Sequence, residues 1–348
     1  MQAAPVTKSR EAIQTGQVRA ILVNSGNANA CTGQRGFNDV EQTIDRLARA
    51  INCDPNLIQI GSTGVIGVPL PVDCILDHLN QAIETAQTSQ AAANRFGDAI
   101  CTTDRFPKGA SKSFKNYTVS VFAKGAGMIA PNMATMLAYA LTDAPIDSGD
   151  LKALWQRCID QSFNSVVVDG DTSTNDTAII CASGQGEPLQ NEELQAFESA
   201  LLEACQEAAV QLVEDGEGAR CVVELNIHGA STKSDAQTVA KTIALSPLCK
   251  TAFFGADPNW GRIIAAAGRS SVSFDPERIR LTLRNREQSI VLFESGMPRE
   301  FNKAKAEQIM RGKRYAFDLD LGIGASQSRV WTCDLGHNYV TLNAEYTT

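Results

Sequence analysis

The most informative segment of the chain is KGAGMIAPNMATML, at residues 124–137. It follows YTVSVFA (residues 117–123), whose alternating apolar residues predict a β-strand, and it leads into an apolar run at residues 136–141. The segment contains two glycines, one proline and three methionines. Because ordinary loops seldom need so many uncharged small and apolar residues, this segment is a candidate functional loop.

Two further segments are rich in glycine or small polar residues. GSTGVIG (residues 61–67) follows a predicted strand at residues 57–60 and exposes backbone N–H groups beside two hydroxyls. It matches neither a Walker A loop nor a GxGxxG fingerprint, and as a bare pattern it is more typical of a structural turn. VVVDGDTSTNDTAII (residues 166–180) is a polar turn between two predicted strands. It lacks the glycine and glutamate that an EF-hand requires, so we predict no calcium site there.

The rest of the chain indicates an α/β protein. A short apolar run at residues 19–24 predicts a buried strand. Apolar residues at helical spacing predict helices at residues 39–51, 72–86, 147–160 and 191–213. From about residue 219 the pattern becomes rich in short β runs, namely RCVVELNIH, RIRLTLR, QSIVLFE, RYAFDLDLG, SRVWTCDL and NYVTLNAEY. Between these runs we predict helices at residues 235–245, 260–267 and 303–310. We therefore predict a domain boundary near residue 225, with an N-terminal α/β domain at residues 1–225 and a C-terminal α+β domain at residues 226–348.

Composition and charge exclude several classes of function. The 348 residues carry a net charge of −8 and show no Lys/Arg cluster, which argues against nucleic-acid and anionic-membrane partners. The ten cysteines are scattered without a CxxC pair, and the chain has only three histidines. These numbers support neither a disulfide scaffold nor a metal site, and no local signature indicates a histidine-based triad. We expect a cytoplasmic protein with no metal and no signal sequence.

Seven motifs together resemble the ornithine acetyltransferase (glutamate N-acetyltransferase, ArgJ) family. In chain order they are GNANACTG (residues 26–33), GSTGVIG, KGAGMIAPNMATML, VDGDTSTND (168–176), DGEGAR (215–220), GADPNWGR (255–262) and NAEYTT (343–348). The resemblance extends in order from residue 3 to residue 348.

The resemblance implies an enzyme that cuts its own chain between Ala134 and Thr135. The new α-amino group of Thr135, with an ordinary pKa of about 7.7–8, would then serve as the base for the hydroxyl of the same residue. The implied reaction moves acetyl from N2-acetylornithine to glutamate by a ping-pong mechanism through acetyl-Thr135, in the ornithine cycle of arginine synthesis. Acetyl-CoA would be a substrate only if the chain also makes N-acetylglutamate from it. No cofactor is implied.

The resemblance also assigns roles to single residues. Thr63 and Gly64 match the oxyanion hole, which stabilises the negative charge of each tetrahedral intermediate. Substrate-binding positions match Thr102, Lys124, Thr135, Glu217, Asn343 and Thr348. Chemically, Lys124 suits a substrate carboxylate and Glu217 suits the side-chain ammonium of ornithine. The segments at residues 169–176 and 255–262 are family motifs for which we expect only turn and packing roles.

The implied architecture is a layered α/β sandwich like that of N-terminal-nucleophile hydrolases, followed by a smaller C-terminal α+β region. The two cut chains are expected to remain together as a heterotetramer of two α and two β chains. Family members usually carry several dozen residues before the segment that MQAAPVTKSR resembles, so we expect an N-terminally shortened chain. Two alternatives stay open: an aminopeptidase or amidase of related fold, and an uncleaved, inactive remnant that only binds amino acids.

Overall fold

The computed structural model describes residues 1–130 and 136–345. The predicted cleavage residues Ala134 and Thr135 and the predicted substrate ligand Thr348 lie outside the described residues. The α-helices are α1 (Ala4–Ala12), α2 (Gly33–Ile51), α3 (Val72–Glu84), α4 (Gln90–Ala99), α5 (Ser148–Asp160), α6 (Asn191–Glu214), α7 (Lys233–Ala244), α8 (Pro247–Phe254), α9 (Trp260–Gly268), α10 (Lys303–Met310) and α11 (His337–Glu345). The strands are β1 (Ala20–Asn27), β2 (Ile58–Val65), β3 (Lys108–Phe114), β4 (Tyr117–Lys124), β5 (Leu137–Thr142), β6 (Val166–Val167), β7 (Thr177–Ala182), β8 (Val222–Ala230), β9 (Arg280–Arg284), β10 (Ser289–Glu294), β11 (Met297–Pro298), β12 (Arg314–Asp320) and β13 (Ser326–Cys333).

The described strands form three sheets. β1 and β2 form a parallel pair, and a second sheet has the order β3-β4-β5-β7. The largest sheet has seven strands in the order β11-β10-β9-β12-β8-β13-β6. Residues 225 and 226, where we predicted a domain boundary, both lie within β8.

The sheets and helices stack in layers. Helices α1, α2 and α3 pack on the β1–β2 pair, which packs in turn against one face of β5 and β7. Helices α5 and α6 cover the other face of the four-stranded sheet, and the core that they form also includes Trp331 of the seven-stranded sheet. Helices α7, α8 and α9 cover the far face of that sheet. This mixed α/β arrangement confirms the predicted fold class.

Most of the periodic segments form the predicted elements. The helices predicted from apolar spacing correspond to α2, α3, α5, α6, α7, α9 and α10. The strand predicted at residues 117–123 is β4, and the apolar run that ends the KGAGMIAPNMATML segment becomes β5. Three short helices, α1, α4 and α8, were not predicted, although α1 and α8 have a proline near their first residue, which is a typical helix start.

The prediction of a β run for NYVTLNAEY is wrong, because His337–Glu345 forms α11. Among the described residues no strand pairs with this segment, which packs on the loop at residues 215–220. A Cβ at Gly218 would lie 2.4 Å from the backbone nitrogen of Tyr339. The Asn343 amide donates to the carbonyl of Tyr339, so these two residues share one side of the helix at i, i+4 spacing. In so short an amphipathic segment, the spacing of apolar residues does not distinguish a helix from a strand.

The contact between β2 and β5 depends on a missing side chain at Gly61. A Cβ atom there would lie 2.1 Å from the hydroxyl oxygen of Tyr139 and 3.5 Å from its Cζ atom. Tyr139 is buried, and its hydroxyl has no hydrogen-bond partner among the described residues. Burial also raises the pKa of this phenol. The β1–β2 pair and the four-stranded sheet thus pack closely at Gly61, because the unpaired hydroxyl of Tyr139 lies where a side chain of residue 61 would begin.

We predict that Gly61→Ala lowers the free energy of unfolding by about 1–3 kcal/mol, because an overpacked core must rearrange. Tyr139→Phe removes the clashing oxygen together with an unpaired buried polar group, so it leaves stability unchanged or raised. The double variant then regains most of the loss in urea denaturation. A double variant as unstable as Gly61→Ala alone would contradict this close approach.

Candidate active site

Lys124 is the last residue of β4 and lies opposite the start of β5, so it borders the described loop at residues 125–130. In the antiparallel pairing of β4 and β5, Lys124 is the partner of Leu137. On its other side, β4 pairs with β3, where Lys108 is the partner of Ala123. The side chains of both lysines are buried. Strand pairing therefore places two buried cations, Lys108 and Lys124, beside the described loop at residues 125–130, which precedes residue 135 in the sequence.

Asp104 is the group that holds these cations. Its Oδ1 atom accepts hydrogen bonds from Lys108 Nζ at 2.5 Å and from the backbone N–H of Gly125 at 2.7 Å. Its Oδ2 atom accepts from the N–H of Thr102 at 3.0 Å and lies 3.8 Å from Lys124 Nζ. One carboxylate thereby fixes Thr102 and Lys124, two of the predicted substrate-binding residues, relative to each other.

The charges of this cluster shift its pKa values. Burial by itself raises the pKa of Asp104, but the nearby charges of Lys124 and Lys108 outweigh it and leave that pKa below its usual value. Burial lowers the pKa of Lys124, against the opposing effect of Asp104. Asp104 is therefore ionised at neutral pH and supplies the negative charge that its two lysines require.

A second buried carboxylate, Asp215, completes the cluster. Its Oδ2 atom lies 2.6 Å from Lys108 Nζ, and its Oδ1 atom accepts from Arg105 Nε at 2.7 Å. The sequence interpretation missed Asp104, Lys108 and Asp215. A usable signal was present in DRFPK, where Asp104 and Lys108 stand four residues apart, but burial of the pair follows only from the fold. Charged side chains are rarely buried unless they are paired in this way.

Glu217 lies directly over the same loop. Its backbone N–H donates to the carbonyl of Ala126 at 2.8 Å, and a Cβ at Gly127 would lie 2.5 Å from its Oε2 atom. Asn343 of α11 donates its amide to Glu217 Oε2 at 2.9 Å. The charge of Glu217 also acts on Lys124 and raises its pKa slightly against the effect of burial. The structure thus brings together the predicted substrate ligands Thr102, Lys124, Glu217 and Asn343.

The predicted oxyanion-hole residues Thr63 and Gly64 lie at the end of β2. Gly64 has a φ of +132°, and a Cβ there would lie 2.2 Å from the carbonyl carbon of Gly26 on the neighbouring strand. Only glycine fits this conformation and this approach. Among the described residues, no hydrogen bond or ion pair joins Thr63 or Gly64 to Lys124 or Glu217. The predicted oxyanion hole is therefore linked to the Lys124–Glu217 cluster only through other parts of the described fold.

The segment at residues 169–176 contacts the described residues on either side of positions 131–135. Asp169 accepts hydrogen bonds from the backbone N–H groups of Met128 at 2.6 Å and Ile129 at 2.9 Å. Asp176 accepts one from the N–H of Met136 at 3.0 Å. Burial raises the pKa of Asp169, and it raises the pKa of Asp176 to about 8. We expected only turn and packing roles for this segment, because partners some 40 residues away leave no mark on a local pattern.

No helix in the described ranges is long and apolar enough to span a membrane. Within residues 1–130 and 136–345, no group of three or more His, Cys, Asp and Glu side chains is arranged to hold a metal ion.

Comparison with known proteins decides the family. A family model described as the ArgJ family matches residues 1–348. The chain belongs to the ArgJ family. The arginine biosynthesis bifunctional protein ArgJ of Symbiobacterium thermophilum is 40% identical to it over 356 residues, covering 100% of this chain and 87% of that protein. The glutamate N-acetyltransferase of Methanothermobacter thermautotrophicus is 39% identical over 357 residues, covering 100% of this chain and 88% of that protein.

A solved ArgJ structure shares the fold. The crystal structure of the arginine biosynthesis bifunctional protein ArgJ from Bacillus halodurans superposes with a TM-score of 0.56 at 37% sequence identity. The match covers 59% of this chain and 96% of that one. The family resemblance deduced from the seven motifs is confirmed, and this ArgJ-family chain is an acyltransferase of arginine biosynthesis.

We predict that Lys108→Met destabilises the protein by about 3–5 kcal/mol, because it leaves two buried carboxylates without their shared cation. Because methionine keeps an apolar side chain of similar length, the loss of stability measures the missing positive charge more than lost packing. Lys112, on the same strand, pairs with Glu207 at the surface, and Lys112→Met serves as the matched control. We expect this control to leave the urea midpoint unchanged. Equal effects of the two substitutions would show that the buried cluster does not stabilise the fold.

Proposed function

We propose that this ArgJ-family protein is a glutamate N-acetyltransferase that moves the acetyl group of N2-acetylornithine to glutamate. The observation that carries the proposal is that Thr102, Lys124, Glu217 and Asn343 lie around one loop, residues 125–130, which precedes Ala134 and Thr135 in the sequence. A cluster that offers one cation, Lys124, and one anion, Glu217, suits a substrate that carries both a carboxylate and an ammonium group.

Maturation would begin with the hydroxyl of Thr135. Its Oγ atom attacks the carbonyl carbon of Ala134, the Ala134–Thr135 amide bond breaks, and the acyl group passes from nitrogen to oxygen. Water then hydrolyses the ester, which leaves a carboxylate on Ala134 and a free α-amino group on Thr135. This product holds a nucleophile and a base of near-neutral pKa on one residue, so a catalytic histidine is unnecessary.

Acetyl transfer would use the same oxygen twice. The α-amino group of Thr135 takes the hydroxyl proton while Oγ attacks the acetyl carbonyl of N2-acetylornithine. The C–N bond breaks, the ornithine nitrogen receives the proton, and acetyl-Thr135 remains. The amino group of glutamate attacks this ester, forms N-acetylglutamate and restores the free threonine. Two half-reactions through one covalent intermediate give ping-pong kinetics.

The charges of the described residues suggest how the substrates are held. Glu217 is half-buried, and no cation lies within 4 Å of it among the described residues, so its carboxylate is available to the side-chain ammonium of ornithine. Lys124 shares Asp104 with Lys108, and at 3.8 Å its contact with that carboxylate is the longer one. Its ammonium group is therefore available to a substrate carboxylate.

Thr63 and Gly64 would stabilise the oxyanion of each tetrahedral intermediate, a contribution of about 3–4 kcal/mol for one good donor. The positive φ of Gly64 and its close packing on Gly26 explain why this position requires glycine. Thr348 would complete the site from the chain end. We further propose that the cut chains remain together as two α and two β chains in the cytoplasm, and that the transfer uses no cofactor or metal.

The cleavage step is tested by the intact mass of the purified, denatured protein. The 37.3 kDa chain should appear as fragments of about 14 and 23 kDa, in proportion to chain length on either side of the cut. Thr135→Ala should remain whole, whereas Thr135→Ser retains a hydroxyl and should still cleave. Cleavage in Thr135→Ala would contradict the assignment of the nucleophile.

The transfer step is tested on the cleaved protein with N2-acetylornithine and glutamate. We expect N-acetylglutamate and ornithine in equal amounts and parallel lines in double-reciprocal plots, with Thr135→Ala inactive. Acetyl-CoA is offered in a separate assay as the alternative donor. Release of free acetate at the same rate without glutamate would instead support the amidase alternative.

A further inference from the structure

The turn between β6 and β7 ends in two adjacent polar residues, Asn175 and Asp176, whose side chains bond to two different sheets. The Asn175 side chain bonds to the β1–β2 region, and the Asp176 side chain bonds to the start of β5. These two regions carry the proposed oxyanion hole and the residue that follows the proposed nucleophile. The pair therefore joins the two halves of the proposed site.

Asn175 fixes the backbone of β2. Its side-chain amide donates to the carbonyl of Ser62 at 2.9 Å and to the carbonyl of Ala28 at 2.6 Å. The carbonyl of Ser62 belongs to the peptide group that contains the nitrogen of Thr63. Ala28 in turn donates its N–H to the carbonyl of Val65 at 3.0 Å. Asn175 is buried, with 5% of its surface exposed. Its hydrogen bonds hold β2 directly before Thr63 and, through Ala28, directly after Gly64.

Asp176 and the residue after it fix the start of β5. Asp176 Oδ1 accepts the N–H of Met136 at 3.0 Å, and the N–H of Thr177 donates to the carbonyl of Met136 at 3.1 Å. The N–H of Met136 belongs to the peptide group that carries the carbonyl of Thr135. The first described peptide groups after the proposed nucleophile are therefore held at two points.

We propose that Asn175 and Asp176 are positioning residues of the acyl transfer, with Asn175 orienting the oxyanion-hole backbone and Asp176 orienting the backbone that follows Thr135. This inference rests on the proposed function, because it presumes the reaction that Thr135 performs. Neither residue needs to touch a substrate, since each acts through a peptide group adjacent to a reacting residue.

The positions of these three side-chain hydrogen bonds predict a specific kinetic effect. A displacement of about 1 Å between nucleophile and oxyanion donors costs about a hundredfold in rate. None of the hydrogen bonds given for Asn175 or Asp176 in the described chain involves Thr102, Lys124, Glu217 or Asn343. Loss of either side chain should therefore lower kcat and leave the KM for N2-acetylornithine nearly unchanged.

The first test compares Asn175→Ala with a matched control, Asn226→Ala. Asn226 of β8 is 4% exposed and also donates two side-chain hydrogen bonds, to Glu224 and Asp318, but lies in the seven-stranded sheet. Intact mass gives the extent of self-cleavage, and turnover is expressed per cleaved molecule. We expect Asn175→Ala to slow cleavage and to lower kcat at least tenfold with KM within threefold. Asn226→Ala should lower the melting temperature similarly while keeping kcat within twofold.

The second test separates position from charge at Asp176. Asp176→Asn retains an oxygen that accepts the N–H of Met136, so we expect kcat within threefold of the parent. Asp176→Ala removes that acceptor and should lower kcat at least tenfold. Asp143, which accepts the N–H of Thr118 at 2.7 Å at the far end of the same sheet, provides the control Asp143→Ala with unchanged kcat.

The outcomes distinguish this inference from the proposed function. If the parent protein neither cleaves nor transfers acetyl, the proposed function fails first and the positioning role fails with it. If the parent is active but Asn175→Ala and Asp176→Ala cleave and turn over normally, only the positioning role is overturned. A loss in kcat equal to that of Asn226→Ala, or a rise in KM without a fall in kcat, would equally overturn it.

Discussion

The candidate active site depends on the burial of the Asp104 carboxylate among positively charged neighbours. Desolvation of such a group is costly, and within the described part of the chain two lysines and two backbone N–H groups offset that cost. These partners come from the loop before β3, from β3 itself and from the end of β4. Because the charge cannot be left unpaired, the loop at residues 125–130 is held at its first residue against the loop that contains Thr102.

Close backbone approach is the second constraint on the site. Gly127 admits the carboxylate of Glu217, and Gly218 admits the backbone of α11, which in turn brings Asn343 to Glu217. A side chain at either glycine would occupy the space of these partners. The glycine-rich character of the motifs thus has a steric cause, since their backbones must pack directly on polar groups of other segments.

Much of this architecture follows from the sequence, and the remainder has physical reasons for escaping it. Long periodic helices such as α6 and alternating strands such as β4 bury one face, so their patterns are clear. The α11 helix lies on the surface and buries no residue, so the spacing of its few apolar residues predicts a strand as readily as a helix. The family motifs pointed to Lys124 and Glu217, but the buried role of Asp104 depends on pairing across strands. The bonds of Asn175 cross more than 100 residues of chain, which no local pattern records.

In the proposed function, the oxygen of Thr135 carries the acetyl group between two amino acids. The most direct measurement is the intact mass of the cleaved protein after N2-acetylornithine is added without glutamate. We expect the fragment that begins at Thr135 to gain the mass of one acetyl group, which peptide mapping places on Thr135. Addition of glutamate should then remove this acetyl group. Turnover of N2-acetylornithine with glutamate while this fragment never gains mass, or acetyl on another residue, would contradict the account.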